Sequence, residues 1–312
     1  MPYKYAYRQP KREGKQMKKV MICTALIVLC IAIATGLAYA GGQGGLHYGP
    51  YPALLVCAAI AFSVQWLAFI PAYAFQTEHY YDLIGSSTYV IIVLLALYLS
   101  SGLGQGLDDR ALLLTALVVI WAARLGPFLF RRVKQAGKDG RFDLIKVSIP
   151  RFLLTWTLQG LWVFVTLVAA LTAMTSQHRE PLGIVAVFGA LVWLLGFALE
   201  VVADAQKSAF NKQPENAGKF INIGLWRWSR HPNYFGEIVL WCGIALIAVP
   251  VLQGWQWLSL ISPVFVIFLL TRVSGVPLLE KRSDEKWGGN ADYERYKTET
   301  SVLIPLPPKR GV

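Results

Sequence analysis

Eight apolar blocks, at residues 20–40, 52–74, 84–101, 111–130, 152–175, 182–203, 235–251 and 256–275, have about the length of helix needed to cross a bilayer. In hydrocarbon the backbone of each block must satisfy its own N–H and C=O groups, so every block is expected to be a helix. The expectation is an all-α fold, a polytopic integral membrane bundle of seven or eight transmembrane helices. A basic N-terminal arm occupies residues 1–19, the membrane domain residues 20–275 and a C-terminal tail residues 276–312. With 55% hydrophobic and 15% charged residues, an ordinary soluble domain is excluded.

The net charge of +12 is distributed by loop. Basic residues gather in the arm (Lys4, Arg8, Lys11, Arg12, Lys15, Lys18, Lys19), in loops 131–151 and 204–234, and in the tail, and they are sparse in the alternate loops. This is the positive-inside pattern, and it predicts that both termini are cytoplasmic. Membrane lipids, and no nucleic acid, are the partners it implies. Ala38-Tyr39-Ala40 resembles a cleavage site, but the apolar run before it exceeds a signal-peptide core, so a retained anchor is favoured; cleavage would leave seven spans. Cys23, Cys30, Cys57 and Cys242 lie in apolar blocks without a CxxC pair, and the histidines are scattered, so no disulfide framework and no metal site are expected.

Against this apolar background the stretch Gly224-Leu-Trp-Arg-Trp-Ser-Arg-His-Pro-Asn-Tyr-Phe-Gly-Glu237 concentrates polar side chains. Intramembrane and juxtamembrane polar groups are costly, so chemistry or binding is to be sought there. Pro232 suits the first turn of a helix, and the N–H groups of that turn would lie beside Arg227, Arg230 and His231, a site suited to phosphate. Glu200, Asp204, Lys207 and Asn211 are spaced four, three and four apart and share one helix face; Asn233, Glu237 and Trp241 share another. Arg124 lies more than a turn before the basic end of its block. Glu78, Tyr89 and Tyr73 fall near the second and third blocks, and Glu280, Tyr293 and Tyr296 in the tail. Gly102-Leu-Gly-Gln-Gly106 follows a span and not a strand, so it is no dinucleotide fingerprint; Walker and Gly-x-Ser-x-Gly motifs are absent.

Glu200-x-x-Ala-Asp204-x-Gln-Lys207, followed by Gly224-Leu-Trp-Arg-x-Ser-Arg-His-Pro-Asn-Tyr-Phe-Gly-Glu237-x-x-x-Trp241, resembles the DUF1295 branch of the steroid 5-alpha-reductase superfamily. Tyr81-Asp-Leu-x-Gly-Ser86, Trp121-Ala-x-Arg-Leu-Gly126 and Arg141-Phe-Asp143 fit the same branch, so the resemblance covers most of residues 75–307. It implies a membrane reductase that binds NADPH on its cytoplasmic side, with the tail packed there. Its substrate would be a lipophilic, steroid- or isoprenoid-like molecule drawn from the bilayer, and a conjugated carbon–carbon double bond would be reduced. By motif position Asp204, Lys207, Arg227, Arg230, Asn233 and Glu237 would contact the cofactor. Arg124, Glu200, Asn211, His231, Tyr234, Glu280, Tyr293 and Tyr296 are candidates for the same pocket. The superfamily's Gln-Glu pair has no counterpart here; among Gln65, Glu78, Tyr73 and Tyr89, Tyr89 and Glu78 are the candidate catalytic groups. Arg230-His-Pro-x-Tyr234 is shared with isoprenylcysteine carboxyl methyltransferases, which keeps an S-adenosylmethionine-dependent methyltransferase open, and a lipid-binding or transport protein is the non-enzymatic alternative. The resemblance leans toward a bacterial inner membrane.

Overall fold

The computed structural model describes residues 10–102, 106 and 108–309, and all but a two-strand hairpin of its regular structure is helical. Residues 1–9 of the arm and most of the Gly102–Gly106 stretch lie outside the described residues. Among the described residues, eight segments are long and apolar enough to cross a membrane. The chain is thus an all-α polytopic membrane protein, and its contacts divide it into two compact units, 1–177 with 254–256, and 178–253 with 257–312.

The first unit contains α1 (Pro10–Gly41), α2 (Ala53–Ala74), α3 (Tyr81–Gly102), α4 (Asp109–Ala136) and α5 (Ile149–Thr175), with a hairpin of β1 (His47–Tyr48) and β2 (Tyr51–Pro52) between α1 and α2. From Val163 to Thr175 α5 is buried on every side, as expected of a helix that is apolar or small-residued all round. At the end of α1 a Cβ on Gly41 would stand 2.6 Å from Thr172 Oγ1 on α5, so only glycine admits that approach. Asp108 caps α4 by accepting from the Ala111 amide. Phe142, Phe152, Trp156 and Ala72 form a core cluster that ties the loop before α5 to α2.

The second unit contains α6 (Ile184–Lys212), α7 (Pro232–Ala248), α8 (Ile261–Phe268), α9 (Val276–Trp287) and α10 (Ala291–Glu299). The last apolar segment, 254–287, is not one α-helix. It passes from a 3-10 stretch through α8 and a π-type turn at Leu269–Val273 into α9. Helices α6 and α7 run antiparallel and meet backbone to backbone. A Cβ on Gly236 would lie 2.6 Å from both the Glu200 nitrogen and the Gly196 oxygen, and one on Gly243 would lie 2.6 Å from the Gly189 oxygen and the Trp193 nitrogen. Small residues are the usual means of bringing helices together in lipid, where no hydrophobic force separates protein from solvent. Gly189 with Gly196, and Gly236 with Gly243, recur at seven residues and so form one stripe on each helix.

Candidate functional site

The glycine seam brings the polar faces of α6 and α7 together. Glu200 and Asp204 are buried on α6, and Asn233, in the first turn of α7, donates its Nδ2 to Asp204 Oδ1 at 3.2 Å. That bond fixes the amide, so Asn233 Oδ1 points away as an acceptor, and it is buried with no hydrogen-bond partner. Lys207, one turn beyond Asp204, holds its ammonium 4.4 Å from the Trp226 ring centroid, and Trp226 Nε1 donates to the Ala203 carbonyl at 2.9 Å. Glu237 is half-buried on α7, while Asn211 is exposed near the end of α6.

The loop before α7 is held from three directions. Gly224 adopts φ +59, and any Cβ there would collide with Gln206, whose Oε1 accepts from the Leu225 amide at 2.9 Å. Tyr296 donates to the Trp226 carbonyl at 2.6 Å. Residues 300–306 then lie along 228–230 like a strap. The Arg230 amide donates to Ser301 O at 2.8 Å, the Leu306 amide to Trp228 O at 3.0 Å, and Ser229 Oγ to Leu303 O at 2.7 Å. Ser229 Oγ also accepts from the His231 amide at 3.1 Å, so the buried hydroxyl links the strap to the entry of α7.

Pro232 occupies the first turn of α7, and His231 precedes it without a side-chain cap, which leaves the turn's amides to other partners. His231 Nε2 lies 2.7 Å from Glu280 Oε1, and Arg230 pairs with Glu280 Oε2 at 2.8 Å. Burial is the largest influence on His231 and lowers its pKa, against the opposing pull of Glu280. The neutral ring then donates from Nε2 to Glu280, which leaves Nδ1 an acceptor, buried and without a partner. Tyr234 stacks on His231 at 5.7 Å. Arg227 is exposed at the same loop. The tail tyrosines spend their hydroxyls on protein groups, Tyr293 on Asp284 at 2.9 Å and Tyr296 on Trp226 O; burial raises the pKa of each.

The three remaining predicted residues belong to the first unit. Arg124 lies 5.1 Å from the Phe128 ring, and Tyr89 is buried edge-on to Trp121 at 5.0 Å. Glu78 is buried at 2% exposure; it accepts from Lys146 Nζ at 2.6 Å and from the Asp139 amide at 3.1 Å. Both of its oxygens are engaged in holding the loop between α4 and α5, which gives it a structural task.

Gln206, Trp226, Ser229 and the strap were not among the residues expected to shape the site. Gln206 sits inside the Asp204-x-Gln-Lys207 motif, and the seven-residue glycine spacing was visible, but neither states its partner. The strap carries no sequence signal in residues 301–306, because these residues enter their bonds through their own backbone atoms.

A polytopic helical membrane protein with a cationic and amide-lined cluster at the start of a tightly packed helix is the class that the fold and cluster define. The chain belongs to the DUF1295 family, described as a protein of unknown function, whose family model matches residues 68–300. The 3-oxo-5-alpha-steroid 4-dehydrogenase 1 of Rattus norvegicus is 30% identical over 118 residues, which cover 38% of this chain and 40% of that protein. A steroid 5-alpha-reductase of Gossypium hirsutum is 28% identical over 118 residues, with 38% and 41% covered. An uncharacterized protein of Schizosaccharomyces pombe is 27% identical over 239 residues, with 67% of each covered. The chain spans about two fifths of the length of the steroid enzymes it matches. No solved structure matches it. These relatives are eukaryotic and lend no support to a bacterial inner membrane.

Proposed function

We propose that the second unit binds NADPH and that the protein reduces a conjugated carbon–carbon double bond in a lipophilic substrate. The observation that carries this reading is the pair of buried, unpartnered acceptors, His231 Nδ1 and Asn233 Oδ1, at the start of α7 next to Arg230. Lys207, Arg227 and Arg230 suit phosphate groups, as do the amides at the start of α7. The two acceptors suit the amide and hydroxyl donors of a dinucleotide, and each is costly to leave buried unless such a donor arrives. Glu280 holds Arg230 and His231 in place, so the neutral imidazole keeps one tautomer.

Held by Lys207, Arg227, Arg230 and the amides at the start of α7, NADPH would supply the hydride for reduction of a conjugated double bond. Taken by itself, the first unit buries Tyr89, and this phenol is the group we assign to hydrogen-bond a carbonyl oxygen of a lipophilic substrate. Glu78 is not assigned that part, because both its oxygens already accept hydrogen bonds.

The test is thermal stabilisation of the full chain in detergent by NADPH, NADH or S-adenosylmethionine, repeated on Asn233→Ala. A ligand present at a hundred times its Kd stabilises by about 2.7 kcal/mol. Stabilisation by NADPH that is lost in the variant is expected. Stabilisation by S-adenosylmethionine alone would favour the methyltransferase reading and overturn this one. Tyr89→Phe is expected to lose enone turnover while keeping NADPH stabilisation; retained turnover removes Tyr89 from the mechanism.

A further inference from the structure

The strap of the second unit turns an apolar row outward. Ser301, Leu303 and Pro305 are half-buried, whereas Val302, Ile304 and Leu306 between and after them are 41%, 55% and 52% exposed. The alternation is that of an extended chain, whose side chains point to opposite sides in turn. An extended edge that faces water carries polar residues on its outer side. Here all three outward positions are aliphatic, and residues 300–308 hold no charged side chain. Trp228, also exposed, joins the row, because its carbonyl accepts from the Leu306 amide at 3.0 Å. None of these four residues belongs to a segment long and apolar enough to cross a membrane, so their exposure is not that of a spanning helix.

Apolar surface gathered in one place marks an interaction site. An extended edge can take a partner strand or a lipid surface. A partner strand needs free N–H groups along the edge. Pro305, Pro307 and Pro308 have none, the Leu306 amide is given to Trp228 O, and the Lys309 amide is given to Glu299 O at 3.0 Å. A lipid surface needs only the apolar row, with a tryptophan at the level of the headgroups. Trp228 stands four residues before Pro232, where the span of α7 begins. Exposed basic residues bracket the row, Lys309 at its end and Arg227 at its start, where the Arg227 carbonyl accepts from Thr300 Oγ1 at 3.5 Å. Cations placed beside an apolar row at the membrane boundary meet anionic headgroups.

We propose that Trp228, Val302, Ile304 and Leu306 form a membrane-interface anchor that seats the strap on anionic phospholipid beside the start of α7. The strap is then held on two sides. Its backbone bonds tie it to residues 228–230, and lipid covers its outer row. Ser229 Oγ, which donates to Leu303 O and accepts from the His231 amide, joins this seat to the entry of α7.

The test uses the full chain in liposomes of mixed zwitterionic and anionic phospholipid. A nitroxide is attached at Ile304→Cys and, separately, at Arg295→Cys on α10, whose side chain is 65% exposed and lies outside every candidate span. The native cysteines are buried or half-buried, and labelled wild type supplies the background. Broadening is read with oxygen, which concentrates in lipid, and with a nickel complex confined to water. At 304 the nickel broadening is expected to be lost and the oxygen broadening gained, with the label at 295 showing the reverse. Nickel broadening at 304 equal to that at 295 overturns the proposal. So does dipolar broadening at 304 that disappears on dilution with unlabelled chain, which would put a second copy on the row. Protection that is no weaker in purely zwitterionic liposomes overturns the assignment to anionic headgroups. Should Ile304→Cys not fold, Val302→Cys reads the same outward face. No cofactor enters the measurement, so failure here is distinct from failure of the reductase reading.

Discussion

Replacing Gly236 by alanine is expected to split the seam on which the polar cluster of α6 and α7 rests. The new Cβ would stand 2.6 Å from the Glu200 nitrogen and 2.6 Å from the Gly196 oxygen. Even close carbon–oxygen contacts between helices settle at about 3.3–3.6 Å, so α6 and α7 must part by roughly 0.7–1.0 Å. Both obstacles are backbone, and neither can swing aside. Overpacking of this kind costs about 1–3 kcal/mol, and each kcal/mol lowers Tm by roughly 2–4 °C for a chain of this order of size. The Asn233 to Asp204 bond, now 3.2 Å across the seam, would open to about 4 Å, beyond hydrogen-bonding range. NADPH stabilisation is then expected to fall together with Tm. The assay is thermal unfolding in detergent, with and without NADPH, against Gly36→Ala, where a Cβ on α1 meets nothing within 4 Å. The control is expected to match the wild type or exceed it by up to about 1 kcal/mol, since alanine is the better helix former. A Gly236→Ala protein with unchanged Tm and intact NADPH response would refute the reasoning.

Two further outcomes follow from the same region. Burial holds the folded His231 pKa below its ordinary value, so the native ring stays neutral where the unfolded chain takes up a proton. Its contribution is complete above about pH 6.5 and is lost as pH falls through that value toward the folded pKa; Tm measured from pH 8 to 5 is expected to drop below 6.5. His231→Gln, which keeps a donor toward Glu280 and cannot titrate, is expected to flatten that drop. Ser229→Ala removes both the bond to Leu303 O and the acceptor for the His231 amide, and leaving those buried groups unmet is expected to cost about 1–3 kcal/mol. NADPH affinity is expected to weaken with it, whereas Ser229→Thr retains the hydroxyl and is expected to restore binding; equal loss in both variants would reduce Ser229 to a packing role.

Hydropathy alone determined that this chain is built of apolar segments long enough to cross a membrane as helices, because a bilayer imposes its thickness on any contiguous apolar run. Pro232 likewise marked the start of α7, and the spacing of Glu200, Asp204 and Lys207 placed them on one face, since both signals act within a few residues. Pairings across the chain were decided only by the tertiary structure. Glu78 takes its partners, Lys146 and the Asp139 amide, from more than sixty residues away. Glu280 meets His231 forty-nine residues distant, and residues 301–306 of the strap bond through their own backbone atoms, which leaves no trace in their side-chain sequence. The glycines at 189, 196, 236 and 243 lie between these cases. Their spacing is legible, but which two stripes meet depends on the direction and depth of both helices, and the distance of closest approach sets whether Asn233 reaches Asp204.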